Sequence, residues 1–184
     1  MRKPGTSLFI HAPIPDIIDP LRANPYSSGS LPIGATEEFT LKDTLKPGLK
    51  HSFSFRVPNS KTVPALYPES PEFQQMPEVF ATGYLVGFLE WACITALNPH
   101  LDWPTEQSLG THINISHLAP TPPGMIVTAK VQIVAVEGRR VTFEVEADDG
   151  VDMIAQGTHE RFVIDRDRFN QKVRTKAEFA PLLQ

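Results

Sequence analysis

Polar and apolar residues alternate over His51-Ser52-Phe53-Ser54-Phe55-Arg56-Val57, putting Phe53, Phe55 and Val57 on one face of a half-buried strand that Pro58 ends. Residues 58 to 77 then carry five prolines, an irregular connection suited to covering a site. Val79 to Leu97 is 19 residues long with a single charge, Glu90. Apolar nearly all round, it predicts an enclosed central helix that Asn98-Pro99 stops. Four strand candidates follow, and in each the odd-numbered residues form the apolar set. They are Leu109, Thr111, Ile113 and Ile115; Val127, Val131 and Ile133; Val141, Phe143, Val145 and Ala147; Val151, Met153 and Ala155. Glu137-Gly138 and Asp149-Gly150 are turn pairs that join the last three as hairpins. A short amphipathic helix over about Asp165 to Lys176 finishes the domain. One strand, a long apolar helix and an antiparallel run predict an α+β fold in which the sheet wraps the helix.

Ahead of this pattern, residues 1–44 hold six of the 18 prolines and no sustained periodicity, so they read as an irregular extension to a domain spanning 45–184. The 19-residue apolar segment is long enough to cross a bilayer. Against that, an acidic side chain at its centre costs about 3 kcal/mol in lipid, and its flanks offer no Lys or Arg. No membrane span and no secretory signal are expected. The net charge of −4, with Lys and Arg scattered, gives no basic stripe for nucleic acid or a membrane surface, so the expected partner is a small molecule. The single cysteine, Cys93, excludes an intrachain disulfide framework and a multi-cysteine metal site and suits a reducing, cytoplasmic setting.

Glu90 is the first chemical candidate, because a carboxylate within an enclosed helix must find a partner or take up a proton. Thr82 lies eight residues earlier and could border the same cleft, although a threonine before Gly83-Tyr84-Leu85 is also an ordinary helix N-cap. His117 is in phase with Leu109-Thr111-Ile113-Ile115 and sits just before the breaker Ala119-Pro120-Thr121-Pro122-Pro123-Gly124. A histidine and a carboxylate facing one interior supply what a general base needs. His159 and Arg161 fall on the inward phase of the last strand, where a buried guanidinium requires an anion or carbonyl. Cys93 reads as a small packed hydrophobe. His112 is out of phase with His117, and without an HExxH or a close Cys/His cluster no metal is expected. Phosphate-binding glycine loops and the GxSxG elbow are also missing.

Several segments resemble a known family in their order along the chain: Leu66-Tyr67-Pro68-Glu69-Ser70-Pro71-Glu72-Phe73, Glu78-Val79-Phe80-Ala81-Thr82-Gly83, Leu89-Glu90-Trp91-Ala92, Ser108-Leu109-Gly110-Thr111, Thr121-Pro122-Pro123-Gly124, Val136-Glu137-Gly138-Arg139-Arg140 and Gly157-Thr158-His159-Glu160-Arg161. From about Leu45 to Lys176 the chain is similar to the fluoroacetyl-CoA thioesterase family, which has the hot-dog fold. The resemblance implies a homodimer with two active sites near the subunit interface, each hydrolysing an acyl-CoA thioester without a metal or cofactor. It places the family's catalytic threonine, glutamate and histidine on Thr82, Glu90 and His117, its active-site glycine on Gly110 and its arginine on Arg161. Of two phenylalanines in the family's hydrophobic lid, one matches Phe73. The other position is Met76, a departure that bears on fluoroacetyl selectivity rather than on thioester hydrolysis. Two other readings stay open at this point. One is an acyl-CoA-binding protein without catalysis, and the other is a hot-dog enoyl-CoA hydratase or dehydratase, whose Asp and His motif is not found.

Overall fold

The structure, a computed structural model, describes residues 41–178. Of the expected extension, residues 1–40 lie outside the described residues, while Leu41 and Leu45 pack on the core. The first strand, β1 (Lys50–Arg56), buries the predicted alternate face, with Val57 1% exposed. The proline-rich connection that follows is more ordered than expected. It contains a 3-10 turn (Asn59–Lys61) and two single-turn helices, α1 (Val63–Leu66) and α2 (Pro71–Gln74), each with proline in its first turn. Ser70 caps α2 by accepting from the Phe73 amide at 3.4 Å.

Helix α3 (Thr82–Leu97) begins three residues later than the apolar run, and no helix of the described residues is long and apolar enough to cross a membrane. Its N-cap is Ala81, with no side-chain cap, which corrects the reading of Thr82 as the cap and frees the threonine hydroxyl for another partner. Leu85, Phe88, Leu89, Ala92, Cys93 and Leu97 are buried against the sheet. Each large apolar side chain so enclosed contributes about 1.5–3 kcal/mol. The helix is enclosed on one side only. Gly83, Gly87 and Trp91 are exposed, since one sheet cannot cover the whole circumference of a helix.

After α3 come β2 (Glu106–His117), β3 (Ile126–Glu137), β4 (Arg140–Asp148), β5 (Met153–Asp165) and α4 (Arg166–Glu178). The strands form one antiparallel sheet in the order β1-β3-β4-β5-β2, with β1 and β2 at its edges. The sheet wraps α3 as expected, and both predicted hairpins form.

Two of the predicted inward faces need correction. In β2, the register against β5 runs Gly110 to Arg161 and then His112 to Glu160, leaving Thr111 without an opposite residue. This bulge reverses the pleat, because one extra residue turns the following side chains to the other face. Ahead of it, Ser108 is buried and Leu109 is 36% exposed; beyond it Ile113, Ile115 and His117 face inward as expected. At the other hairpin, Val151 lies in the turn and is exposed, as is Met153, while Ile154 and Ala155 are fully buried.

The β4–β5 turn is fastened from inside by Asp149. Its carboxylate accepts from the amides of Val151 (3.0 Å) and Asp152 (2.9 Å) and from the Thr121 hydroxyl (2.9 Å). Burial by itself would raise this carboxyl, but these donors, together with the Asp149 amide, outweigh it and hold the pKa below the ordinary value. The Thr121 carbonyl in turn accepts from the Phe80 amide at 2.8 Å. The loop after His117 and the approach to α3 are therefore tied to one buried anion.

Candidate active site

The proposed site residues collect in two groups at different levels of α3. At its N-terminal end, Thr82 Oγ1 lies 2.8 Å from His117 Nδ1, the last residue of β2. The helix and β2 run side by side in opposite senses, so the start of one meets the end of the other. The other ring nitrogen of His117, Nε2, is buried without a hydrogen-bond partner. Burial pulls the His117 pKa below the usual imidazole value, opposed by the backbone at Ala119, which favours a neutral ring at pH 7.

The second group surrounds Glu90. Its carboxylate is 3.7 Å from Arg161 Nη1 and 3.8 Å from His159 Nε2, and is 38% exposed. Arg161 is almost wholly buried and is held by β2: Nε donates to Ser108 Oγ at 2.9 Å and Nη2 to the Ser108 carbonyl at 2.6 Å. Burial lowers its pKa and the Glu90 carboxylate opposes this, yet a guanidinium keeps its charge in proteins. Gly110 makes the arrangement possible. A Cβ there would overlap Glu90 Oε1 and approach His159 Cε1 to 3.0 Å. The bulge is what turns Gly110 and Ser108 toward this group. Cys93 lies close by with its thiol pushed up to about 12 by burial, so it is a packed hydrophobe as expected and not a nucleophile.

The structure therefore brings Thr82 to His117, and Glu90 to Gly110 and Arg161. It does not bring Glu90 to His117. Eight helical residues separate Thr82 from Glu90, an axial distance of about 12 Å at 1.5 Å per residue. Phe73 and Met76 sit on the connection, where Phe73 lies edge-on to Tyr67 with ring centroids 5.1 Å apart and Met76 is 52% exposed. That connection docks on the Thr82 end of α3: Tyr84 donates to the Ala65 carbonyl at 3.2 Å, and Leu66 packs where a side chain at Gly83 would project. Sequence reasoning passed over Ser108, whose only signal was the need of an inward arginine for acceptors on the neighbouring strand.

A model of the fluoroacetyl-CoA-specific thioesterase family matches residues 63–167, which contain both groups. The chain belongs to this family. A fluoroacetyl-CoA thioesterase of Streptantibioticus cattleyicolor is 54% identical over 136 residues, covering 74% of this chain and 97% of the relative. A solved structure of a fluoroacetyl-CoA thioesterase, 54% identical, covers 73% of this chain and 98% of its own with a TM-score of 0.71. A thioesterase superfamily member of Thermus thermophilus, 27% identical, superposes over 72% of this chain and 93% of its own with a TM-score of 0.64. A hot-dog-like protein of Thermanaerovibrio acidaminovorans, 25% identical over 71% of this chain and 91% of its own, gives 0.60. The fluoroacetyl-CoA-specific thioesterase family thus accounts for the hot-dog architecture of this chain, and its described residues include no group of three or more His, Cys, Asp or Glu able to hold a metal ion.

Proposed function

We propose that this protein hydrolyses short acyl-CoA thioesters as a homodimer, each site combining Thr82 and His117 of one subunit with Glu90, Gly110 and Arg161 of the other. The observation that carries this reading is the hydroxyl–imidazole contact of Thr82 and His117, which pairs a nucleophile or water-orienting group with a base in a chain of this family. A reacting carbonyl must lie within about 3.5 Å of the groups that act on it. One thioester therefore cannot reach two groups separated by about 12 Å along the same helix. A two-fold partner resolves the distance. Strand β2 is an edge, and antiparallel pairing with a second β2 about an axis between Ile113 and Asn114 sets Gly110 of each chain opposite His117 of the other.

Within such a site, neutral His117 takes the proton from Thr82 or from a water held by it, the oxygen bonds to the carbonyl carbon, and the C–S bond breaks as coenzyme A takes that proton from His117 and leaves as the thiol. Where Thr82 is the attacking group, water activated by His117 then cleaves the acyl-threonine ester and releases the acid. The Gly110 amide receives the developing oxyanion, and Glu90, beside Arg161, orients the reacting groups. Phe73 and Met76 cover the acyl end from the connection. The buried, unreactive Cys93 fits a cytoplasmic setting.

Thiol release from a panel of acyl-CoAs tests the reading. Several short acyl-CoAs are expected to be cleaved, because methionine fills a lid position adaptably where a second phenylalanine would make a rigid cover. The preference for fluoroacetyl-CoA over acetyl-CoA is expected to be modest and to rise on Met76→Phe. Absence of thiol release from every member would refute the activity. A strong fluoroacetyl preference unchanged by Met76→Phe would refute the lid argument alone.

A further inference from the structure

His159 is 1% exposed and makes two hydrogen bonds that fix its tautomer. Nδ1 is 2.7 Å from the His112 carbonyl, which can only accept, so Nδ1 carries the proton. Nε2 is then a bare acceptor, and Arg161 Nη1 donates to it at 3.1 Å. With Ser108 taking two further donors, three of the five guanidinium N–H groups are bound inside the chain, and the remaining hydrogen on Nη1 is the one facing Glu90. We propose that His159 is a positioning residue: a neutral Nδ1–H imidazole that locks the Arg161 guanidinium in the orientation that holds Glu90. It rests on the reading that Glu90 and Arg161 serve thioester hydrolysis.

The titratable and charged groups facing the ring are Glu90 from α3, His112 from β2 and Arg161 from its own strand. A proton on Nε2 would remove Arg161's acceptor, set two cations side by side and offer Glu90 a competing partner. Neutrality is favoured because burial lowers the His159 pKa; the His112 carbonyl opposes, Arg161 reinforces the lowering and Glu90 opposes it. Because the folded-state pKa is depressed, the unfolded chain takes up the proton first as pH falls below about 6.5. This contribution to stability is therefore complete above that pH and declines below it.

Two substitutions separate the ring's bonds. In His159→Gln the amide oxygen falls near Nε2 and keeps the acceptor for Arg161. In His159→Asn the amide nitrogen falls near Nδ1, keeping the bond to His112 and losing that acceptor. We expect His159→Gln to stay within about threefold of the parent kcat and His159→Asn to lose roughly thirtyfold to a hundredfold with unchanged circular dichroism, as loss of a hydrogen bond to a charged group should. Nitrogen-15 spectra of histidine-labelled parent protein, with the His159 signal identified by its loss in His159→Gln, should show a neutral Nδ1–H ring at pH 7. Parental kcat in His159→Asn, an equal loss in His159→Gln, or an Nε2–H or cationic ring at pH 7 would each overturn the proposal. If neither variant folds, the His159 signal of the parent is assigned instead through its own backbone in uniformly carbon-13 and nitrogen-15 labelled protein, and its tautomer decides the proposal. A parent that releases no thiol yet shows the Nδ1–H ring would instead refute the thioesterase reading and leave the Arg161 lock standing.

Discussion

Alanine in place of His117 is expected to lower kcat for acyl-CoA hydrolysis by about two orders of magnitude or more, equivalent to about 2.7 kcal/mol of transition-state stabilisation. The ring is the only base in contact with Thr82 Oγ1 among the described residues. Thr82→Ala should be impaired more than Thr82→Ser, which keeps an oxygen at the position bonded to Nδ1. Because burial holds the His117 pKa below the ordinary value, its neutral and active form persists below pH 6.5. The acid limb of kcat/KM in the parent should accordingly fall on the acid side of that pH. Steady-state kinetics across pH, with circular dichroism to establish that the variants fold, check both statements. Parental rates in the folded alanine variants would place the chemistry elsewhere.

Gly110→Ala is expected to cost about a hundredfold in kcat/KM although it adds a single methyl group. Gly110 does not have a positive φ, so alanine is compatible with its backbone. The methyl meets the Glu90 carboxylate, the free end of a flexible side chain, and the fold survives by turning Glu90 away. The substitution thus acts as a displacement of Glu90 and should match the effect of Glu90→Gln. The two changes combined should be little worse than either, since residues acting through one group are not additive. Kinetics of the two single variants and the double variant measure this. Full activity in Gly110→Ala would show that the position of Glu90 does not matter.

What the sequence revealed and what it concealed follow from a single assumption, that the pleat of each strand is unbroken. In β3 this holds as far as Ile133 and in β4 as far as Ala147, where the registers shift, and Val127, Val131, Ile133, Val141, Phe143, Val145 and Ala147 are buried as alternation requires. In β2 the bulge at Thr111 breaks the period, so alternation placed Leu109 inside and left Ser108 and Gly110 outside. The one local sign of the extra residue is Gly110, since a glycine within a strand often marks a bulge or a close approach. The close approach of Glu90, which requires it, is a tertiary contact. The residue pattern singled out Thr82, Glu90, His117 and Arg161 and the resemblance added Gly110, but order along a chain does not say which residues share a site. Pairing Glu90 with His117 was reasonable from their common inward phase. Helical rise then separates them, and Glu90 is satisfied instead by Arg161, whose acceptors on Ser108 come from a strand more than 50 residues away in sequence.

The central claim, that each site is assembled from two chains, is tested most directly by pairing two inactive variants. His117→Ala and Glu90→Gln chains carrying different affinity tags are co-expressed, and the heterodimer is purified through both tags. If sites form across the interface, one site of the heterodimer gathers both substitutions and the other has none. The expected result is therefore about half the parental kcat per dimer, from two variants each reduced about a hundredfold. If each site belonged to a single chain, every site in the heterodimer would carry one substitution, and activity no higher than that of the separate variants would contradict the account.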